Sequence, residues 1–257
     1  MKFLSAAHTD VGISKKVNQD SFCLKTAHTG SHNIAFVVLC DGMGGLKNGE
    51  LASSFIVNAY SQWFENELPQ LLVGSNAVNW SILKSRWRSI ALAQGEKIMR
   101  YASQRGISMG STLTAVLVID SEYLYIQVGD SRMYKIDSSI TQLTRDHTLV
   151  AQEVEQSKIT LAQAKTDSRK NILLQCIGAS KTISPDLGTG RLKSGDVLLL
   201  CSDGFRHVIS EDEIFGVMAP ALLNSGRVMK ENLVGLINLN KSRKEKDNIT
   251  AIALKAI

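Results

Sequence analysis

Residues 34–45 read IAFVVLCDGMGG, and the rest of the chain is organised around them. An unbroken apolar run rich in β-branched residues describes a strand covered on both faces, not the alternating pattern of a strand with one face in water. The run ends abruptly in Asp41 and then glycine at three of four positions, which predicts a sharp turn at the mouth of a core strand. A carboxylate there is costly unless something positive or strongly hydrogen-bonding meets it, and the glycines let backbone carbonyls approach whatever Asp41 binds. A metal ion would satisfy both features. Taken alone, the stretch reads equally well as an acid capping a tight turn.

The chain has 257 residues, enough for a substantial core. Three prolines and no Ser/Gly tract give no sign of a linker, so residues 1–257 read as a single domain. The balance of 29 basic against 24 acidic residues, a net charge of +5, is spread along the chain. Its densest basic run, KSRKEK at 241–246, has no interleaved aromatics and reads as a solvated loop, not a nucleic-acid surface. Cys23, Cys40, Cys176 and Cys201 show no CxxC spacing, and two of them lie within apolar runs, which fits a reducing cytoplasm. The apolar part of the opening MKFLSAAHTD is far shorter than the roughly 7 to 15 residues of a signal-peptide core. No segment approaches the roughly 20 apolar residues of a spanning helix. The expectation is a soluble cytoplasmic protein with no nucleic-acid or membrane partner.

In chain order, short strands at 3–9 and 21–26 flank the polar segment DVGISKKVNQD, which carries Lys15, Lys16 and Asp20. Helical spacing of apolar residues follows at 50–64 and 79–104. The stripe of Trp80, Leu83, Trp87, Ile90, Ala91 and Ile98 reads as core packing. Short strands at 110–120, 123–128, 131–136 and 140–143 read as an antiparallel meander, with Gly129-Asp130-Ser131-Arg132 as a hairpin turn within it. Two short helices at 148–156 and 161–166, with the polar stretch 166–171, form the most loop-like region, a mobile lid. DVLLLCS at 196–202 is another buried strand, ending in Asp203 and Gly204. Helices are expected at 211–219 and 227–239, and a last strand at 249–257 starts directly after Asp247-Asn248.

Asp41 and Asp203 each leave a buried strand before a glycine, and Asp247 stands just before a strand. Like charges at neighbouring strand ends repel unless a cation collects them. With oxygen ligands only, the ions suggested are hard ones such as Mg²⁺ or Mn²⁺, not zinc. His8, His28, His32, His147 and His207 are scattered and read as surface or hydrogen-bonded loop residues.

Taken in order, VNQDSF, CDGMGG, GSTLTAVLV, VGDSRMY, LTRDHT, CSDGF and DNITAIAL resemble the motif series of the PPM family, the metal-dependent type 2C serine/threonine protein phosphatases. The likeness runs from residue 6 to residue 254, and RDHTLVAQ and SRKNILLQCIG look like the family's flap, here 148–171. The short form is similar to bacterial members. The resemblance implies an α+β fold, a four-layer αββα sandwich of two antiparallel β-sheets packed face to face and flanked by helices, with metals in a cleft at one end.

By the same resemblance, Asp41 would bridge two Mn²⁺ or Mg²⁺ ions and the carbonyl of Gly42 would hold one of them. Asp203 and Asp247 would hold the other. Asp20 would act mainly through a metal-bound water, and Asp130 would contribute to a more weakly held third ion. Such an ion pair makes hydroxide available near neutrality and neutralises phosphoryl charge as it attacks in line, so no side-chain nucleophile is needed. The implied partners are proteins phosphorylated on serine or threonine by a cognate kinase, met by a monomeric enzyme. Two positions depart from the family. Lys15 stands five residues before Asp20, where an arginine usually clamps the phosphate, and it brings charge without the bidentate fork. Met43 stands where many eukaryotic members have a histidine, although bacterial members often have methionine.

Two other classes compete. A phosphoprotein-binding pseudophosphatase is suggested by Lys15, but a pure binder has no evident need for Asp20, Asp41, Asp203 and Asp247 together. A Ca²⁺-binding structural protein would show an EF-hand-like run of alternating acids, which is missing here.

Overall fold

The computed structural model describes residues 1–44, 48–72 and 78–257. It opens with β1 (Phe3–Asp10), β2 (Asp20–His28) and β3 (Asn33–Met43), followed by α1 (Gly49–Asn66), α2 (Leu68–Leu72) and α3 (Trp80–Arg105). Then come β4 (Gly110–Ser111), β5 (Leu113–Ile119), β6 (Glu122–Val128), β7 (Arg132–Ile136), β8 (Ile140–Gln142), α4 (Leu149–Glu155) and α5 (Leu161–Thr166). The chain closes with β9 (Asp186–Arg191), β10 (Val197–Cys201), α6 (Asp203–Arg206), α7 (Glu211–Met218), α8 (Gly226–Ser242) and β11 (Ile249–Ala256).

Two antiparallel sheets result, one ordered β1-β11-β10-β7-β8 and the other β2-β3-β5-β6-β9, with β4 paired to the end of β3. The double-faced burial of β3 explains its unbroken apolar sequence. Ala35, Val37 and Leu39 pack between the sheets against Leu198, Leu200, Ile252 and Leu254. The alternate residues Ile34, Phe36, Val38 and Cys40 pack outward against α1 and α3. The other sheet repeats this with Leu199, Cys201, Ala251 and Ala253 facing α7 and α8. The layer order is therefore helix, sheet, sheet, helix, as the family resemblance implies.

The helices hold their places through apolar stripes. α1 buries Ala52, Ile56, Tyr60 and Trp63, at three- and four-residue spacing, and the Tyr60 hydroxyl donates to the Trp87 carbonyl of α3 at 2.7 Å. α3 starts at an Asn79 cap whose side chain accepts from the Ile82 N–H, and it ends at Gly106 in the left-handed region, φ 62°. Burying each large side chain contributes about 1.5–3 kcal/mol. No helix among the described residues is long and apolar enough to cross a membrane.

Three expectations change. The strand does not end at Cys40: Gly42 and Met43 stay extended and pair with Ser111 and Gly110, so Asp41 is a strand residue directly opposite Asp20 of β2. Gly45, the last residue of the expected turn, lies outside the described residues. The meander is split between sheets, because β5 and β6 pair in one and β7 and β8 in the other. Residues 129–131 are thus a crossing and not a hairpin turn. The buried Gln127 amide fixes this crossing by donating to the carbonyls of Gly129 and Ser131 at 3.1 and 2.7 Å while accepting from Thr114 Oγ1 at 2.6 Å. Finally β9, DLGTGR, forms a strand where none is expected, its glycines lying under the rings of Tyr125 and Tyr123.

Candidate active site

One end of the sandwich opens into a cavity of about 260 Å³ lined by Lys15, Asp41, Gly42, Asp130, Asp203 and Asp247, with Asn171 and Leu173 from the flap side. Of the seven residues singled out in the sequence, six line this one space. The seventh, Asp20, is only 8% exposed and shares the register position of Asp41 on the neighbouring strand. A second cavity, of about 290 Å³ between Arg145, Thr148, Glu155 and Gln175, contains none of them.

Asp20 is reached from the opposite sheet. Its Oδ2 accepts from Thr250 Oγ1 at 2.6 Å and Ser202 Oγ at 3.0 Å, the hydroxyls at the inward-facing ends of the two central strands. Its Oδ1 is buried with no partner among the described residues. Burial, opposed by the two hydroxyls and reinforced by the charges of Asp203 and Asp247, pushes this carboxyl up to about 7. Asp41 is raised well above the usual carboxylate range, first by burial and then by Asp20, Asp203, Asp130 and Asp247. Its backbone is clamped: the N–H donates to Thr112 Oγ1, and the carbonyl accepts from the Thr112 N–H and Ser111 Oγ, each at 2.9 Å. Gly42 touches the first residue of α1 backbone to backbone, and a Cβ there would lie 2.1 Å from the Gly49 carbonyl oxygen.

Asp203 and Asp247 are linked through one chain of ion-pair and hydrogen-bond contacts. Asp203 Oδ1 is buried without a partner among the described residues, while its Oδ2 lies 3.3 Å from His207 Nε2. His207 Nδ1 lies 3.3 Å from Glu245 Oε2, and Glu245 Oε1 accepts from the N–H groups of Lys246 and Asp247 at 2.7 and 2.9 Å. Burial alone would lower the His207 imidazole, but Glu245 and Asp203 outweigh it and raise it. His207 is thus no stray loop residue. Asp247 Oδ1 accepts from the Asn248 N–H at 2.9 Å and forms an ion pair with Lys15 Nζ at 3.0 Å. Asn248 ties the Lys15 segment to β11 by donating to the Val11 and Val17 carbonyls at 2.9 and 3.2 Å and accepting from the Gln19 N–H at 2.9 Å.

Asp130 has a basic neighbour that the sequence reading leaves unnoticed. Arg206 Nη2 donates to the Asp130 carbonyl at 2.9 Å and lies 3.5 Å from its Oδ2. Asp130 is still raised to about 7, by burial and by Asp203, against the pull of Arg206. Arg206, His207, Glu245 and Asn248 are the site residues missed. Asn248 and the hydroxyls of Ser202 and Thr250 fall inside the motifs DNIT and CSDGF, the signal that could have found them.

The donors suit hard cations. They are oxygens only, two buried carboxylate oxygens lack partners, and the acids raise one another's protonation, a burden that a cation relieves. Among the described residues, no three His, Cys, Asp or Glu side chains close around a single point. The acids are spread over the cavity wall, an arrangement suited to ions that share ligands and keep several waters.

The fold is shared with protein phosphatases of known structure. Residues 9–238 match the family model described as protein phosphatase 2C. A putative protein phosphatase 2C-type of Streptococcus pyogenes is 33% identical over 247 residues, covering 94% of this chain and 93% of the relative. The crystal structure of serine/threonine phosphatase Stp1 from Staphylococcus aureus superposes with a TM-score of 0.81 at 31% identity, covering 98% of this chain and 94% of that one. The catalytic domain of the serine/threonine phosphatase PstP, in complex with two manganese ions, gives 0.75 at 26% identity, covering 98% and 97%. The chain belongs to the protein phosphatase 2C family.

Proposed function

We propose that the chain hydrolyses phosphoserine and phosphothreonine on proteins with two Mn²⁺ or Mg²⁺ ions bound in the acid-lined cavity. The observation that carries this reading is the pair of buried, unpartnered carboxylate oxygens, Asp20 Oδ1 and Asp203 Oδ1, within a set of acids that repel one another. Asp41 and the Gly42 carbonyl, with Asp203 and Asp247, would hold the ions. When bound, these supply Lewis-acid neutralisation of phosphoryl charge and a source of hydroxide near neutral pH.

The chain's own residues do the rest. Asp20, held by Thr250 and Ser202, fixes a buried carboxylate beside Asp41 on the neighbouring strand. Lys15, whose ammonium already meets Asp247 at 3.0 Å, would draw in the substrate phosphate as a point charge. At Asp130 the family resemblance implies a weaker third ion, and there the carboxylate already faces Arg206. Residues 148–171 would act as the flap that governs substrate choice within a single domain. In support, α5 carries a capping box but no buried residue, and the segment is attached at its base by the Thr148 and Leu173 bridge. The four cysteines are unpaired, in keeping with a reducing cytoplasm, where the chain would act as a monomer opposing a cognate kinase.

The test is turnover of a phosphothreonine peptide with Mn²⁺, Mg²⁺, Ca²⁺ or chelator, beside Mn²⁺ calorimetry on Asp41→Asn and Asp203→Asn. Activity should vanish on chelation and return with Mn²⁺, and both variants should lose Mn²⁺ affinity while keeping the far-ultraviolet spectrum of the fold. Activity under full chelation, or unchanged Mn²⁺ binding in both variants, would refute the assignment. Tight Mn²⁺ binding without turnover would favour the pseudophosphatase.

A further inference from the structure

Arg206 follows directly from the burial of its neighbour. Phe205 is fully buried, and its carbonyl accepts from the Asn240 side chain of α8 at 2.9 Å, so the short helix α6 is anchored to the core. Its N-terminal residue is Asp203 and its last is Arg206. The same anchor therefore fixes a site acid and a site cation, three residues apart.

The guanidinium has little freedom. Arg206 Nη2 donates to the Asp130 carbonyl and faces Asp130 Oδ2 on one side, and lies 3.4 Å from Asp146 Oδ2 on the other. Asp146 is itself gripped by the Arg132 fork, Nε at 2.9 Å from Oδ1 and Nη2 at 2.8 Å from Oδ2. Arg132 Nη1 in turn donates to the Tyr134 hydroxyl at 2.8 Å. The Arg206 side chain is 15% exposed and that of Asp130 8%, so water screens their contact poorly. Arginine does not shed its proton in a protein. A divalent ion on Asp130 would have to settle beside this permanent charge, or displace it and leave the Asp130 carbonyl without its donor.

We propose that Arg206 is a built-in cation at Asp130, standing where a third divalent ion would be held, so that this chain loads two ions and not three. The inference rests on the metal reading above and deepens it. The expected third ion does not fit the residues present at Asp130, where Arg206 already supplies the positive charge.

Counting bound Mn²⁺ tests it, by calorimetry together with electron paramagnetic resonance of the unbound ion, in wild type, Asp130→Asn, Arg206→Lys, Arg206→Gln and the double variant Arg206→Gln/Asp130→Asn. Wild type should hold two ions, and so should Asp130→Asn, because Asp130 carries none. Arg206→Lys should also stay at two. Arg206→Gln should admit a third ion at least about tenfold more tightly than any third event in wild type, and the double variant should lose it again. Three ions in wild type, loss of an ion in Asp130→Asn, or no gain in a folded Arg206→Gln would overturn the role given to Arg206 and leave the two-ion reading intact. Fewer than two ions in wild type would overturn both. Should thermal melts show Arg206→Gln unfolded, the Asp130→Asn count decides alone.

Discussion

Replacing Gly42 by alanine is the sharpest local test of how the cavity is built. The added methyl would lie 2.1 Å from the Gly49 carbonyl oxygen and 2.6 Å from that of Gln19, whereas carbon and carbonyl oxygen approach comfortably to about 3.3 Å. The shortfall is therefore roughly 1.2 Å. Both obstacles are backbone, so no rotamer change relieves them. The end of β3 must separate from the first turn of α1, or from residue 19, whose carbonyl accepts the Gly42 N–H at 3.1 Å. Overpacking of this kind costs about 1–3 kcal/mol, and contacts made only by backbone put Gly42→Ala at the upper end. At about 2–4 °C per kcal/mol for a chain of this size, the metal-free protein should melt about 6–12 °C lower. Mn²⁺ affinity should fall with it, since the Gly42 carbonyl moves. Gly235→Ala is the control: it lies in α8 with nothing within 4 Å of the added carbon and should raise stability by up to about 1 kcal/mol. Circular-dichroism melts and Mn²⁺ calorimetry read both. A Gly42→Ala protein melting within about 2 °C of wild type, with unchanged Mn²⁺ affinity, would refute the close-approach reasoning.

For Lys15, a charge-assisted contact to phosphate is worth about 1.5–3 kcal/mol, so Lys15→Ala should lose roughly 10- to 150-fold in kcat/KM, mostly through KM, while Lys15→Arg holds or improves it. Equal efficiencies in all three proteins would move the phosphate clamp elsewhere. Asp10 and Lys241 join β1 to α8 at 2.7 Å. Burial alone would raise the Asp10 carboxyl, but Lys241 and the Gly12 N–H outweigh it and hold the group below its ordinary value. A depressed carboxyl stabilises above its unfolded value near pH 4 and loses this as pH falls through the folded one. The melting difference between wild type and Lys241→Met, about 0.5–1 kcal/mol after screening, should therefore shrink in acid; a difference constant from about pH 6 to pH 3 would contradict it. In the flap, amides of α5 should exchange far faster than those of β3, and equal protection would remove the case for a moving lid.

The sequence shows the layers well, because burial on both faces leaves an unbroken apolar run such as that of β3. It misleads where a distant partner decides. Gly42 and Met43 look like turn residues, yet Gly110 and Ser111 keep them extended. Residues 129–132 match a hairpin turn locally, and distant partners, the Gln127 amide bonded to Thr114 and Ser131 among them, carry the chain across to the other sheet. β9 has the composition of a loop; the rings of Tyr123 and Tyr125 need its glycines. Asp41, Asp203 and Asp247 were legible because a charged residue at the edge of an apolar run is conspicuous, whereas the site roles of Asp20 and Asp130 came only through the family resemblance. Their supports were not legible: His207, Glu245 and Arg206 act only through contacts that folding creates.

The clasp on Asp20 also bears on how the molecule comes apart. The carboxylate belongs to one sheet and its hydroxyl donors to the other, and Asp20 and Thr250 are 230 residues apart in the chain. Asp41 likewise comes from the first sheet, whereas Asp203 and Asp247 flank strands of the second. Neither sheet alone carries a binding site, so the site is completed only after the halves have docked, a late event for contacts so distant in sequence. An ion in the cavity would then act as a bolt through both sheets. Its binding free energy would count against global opening and not merely local fraying, and the melting temperature would climb with the logarithm of free metal concentration.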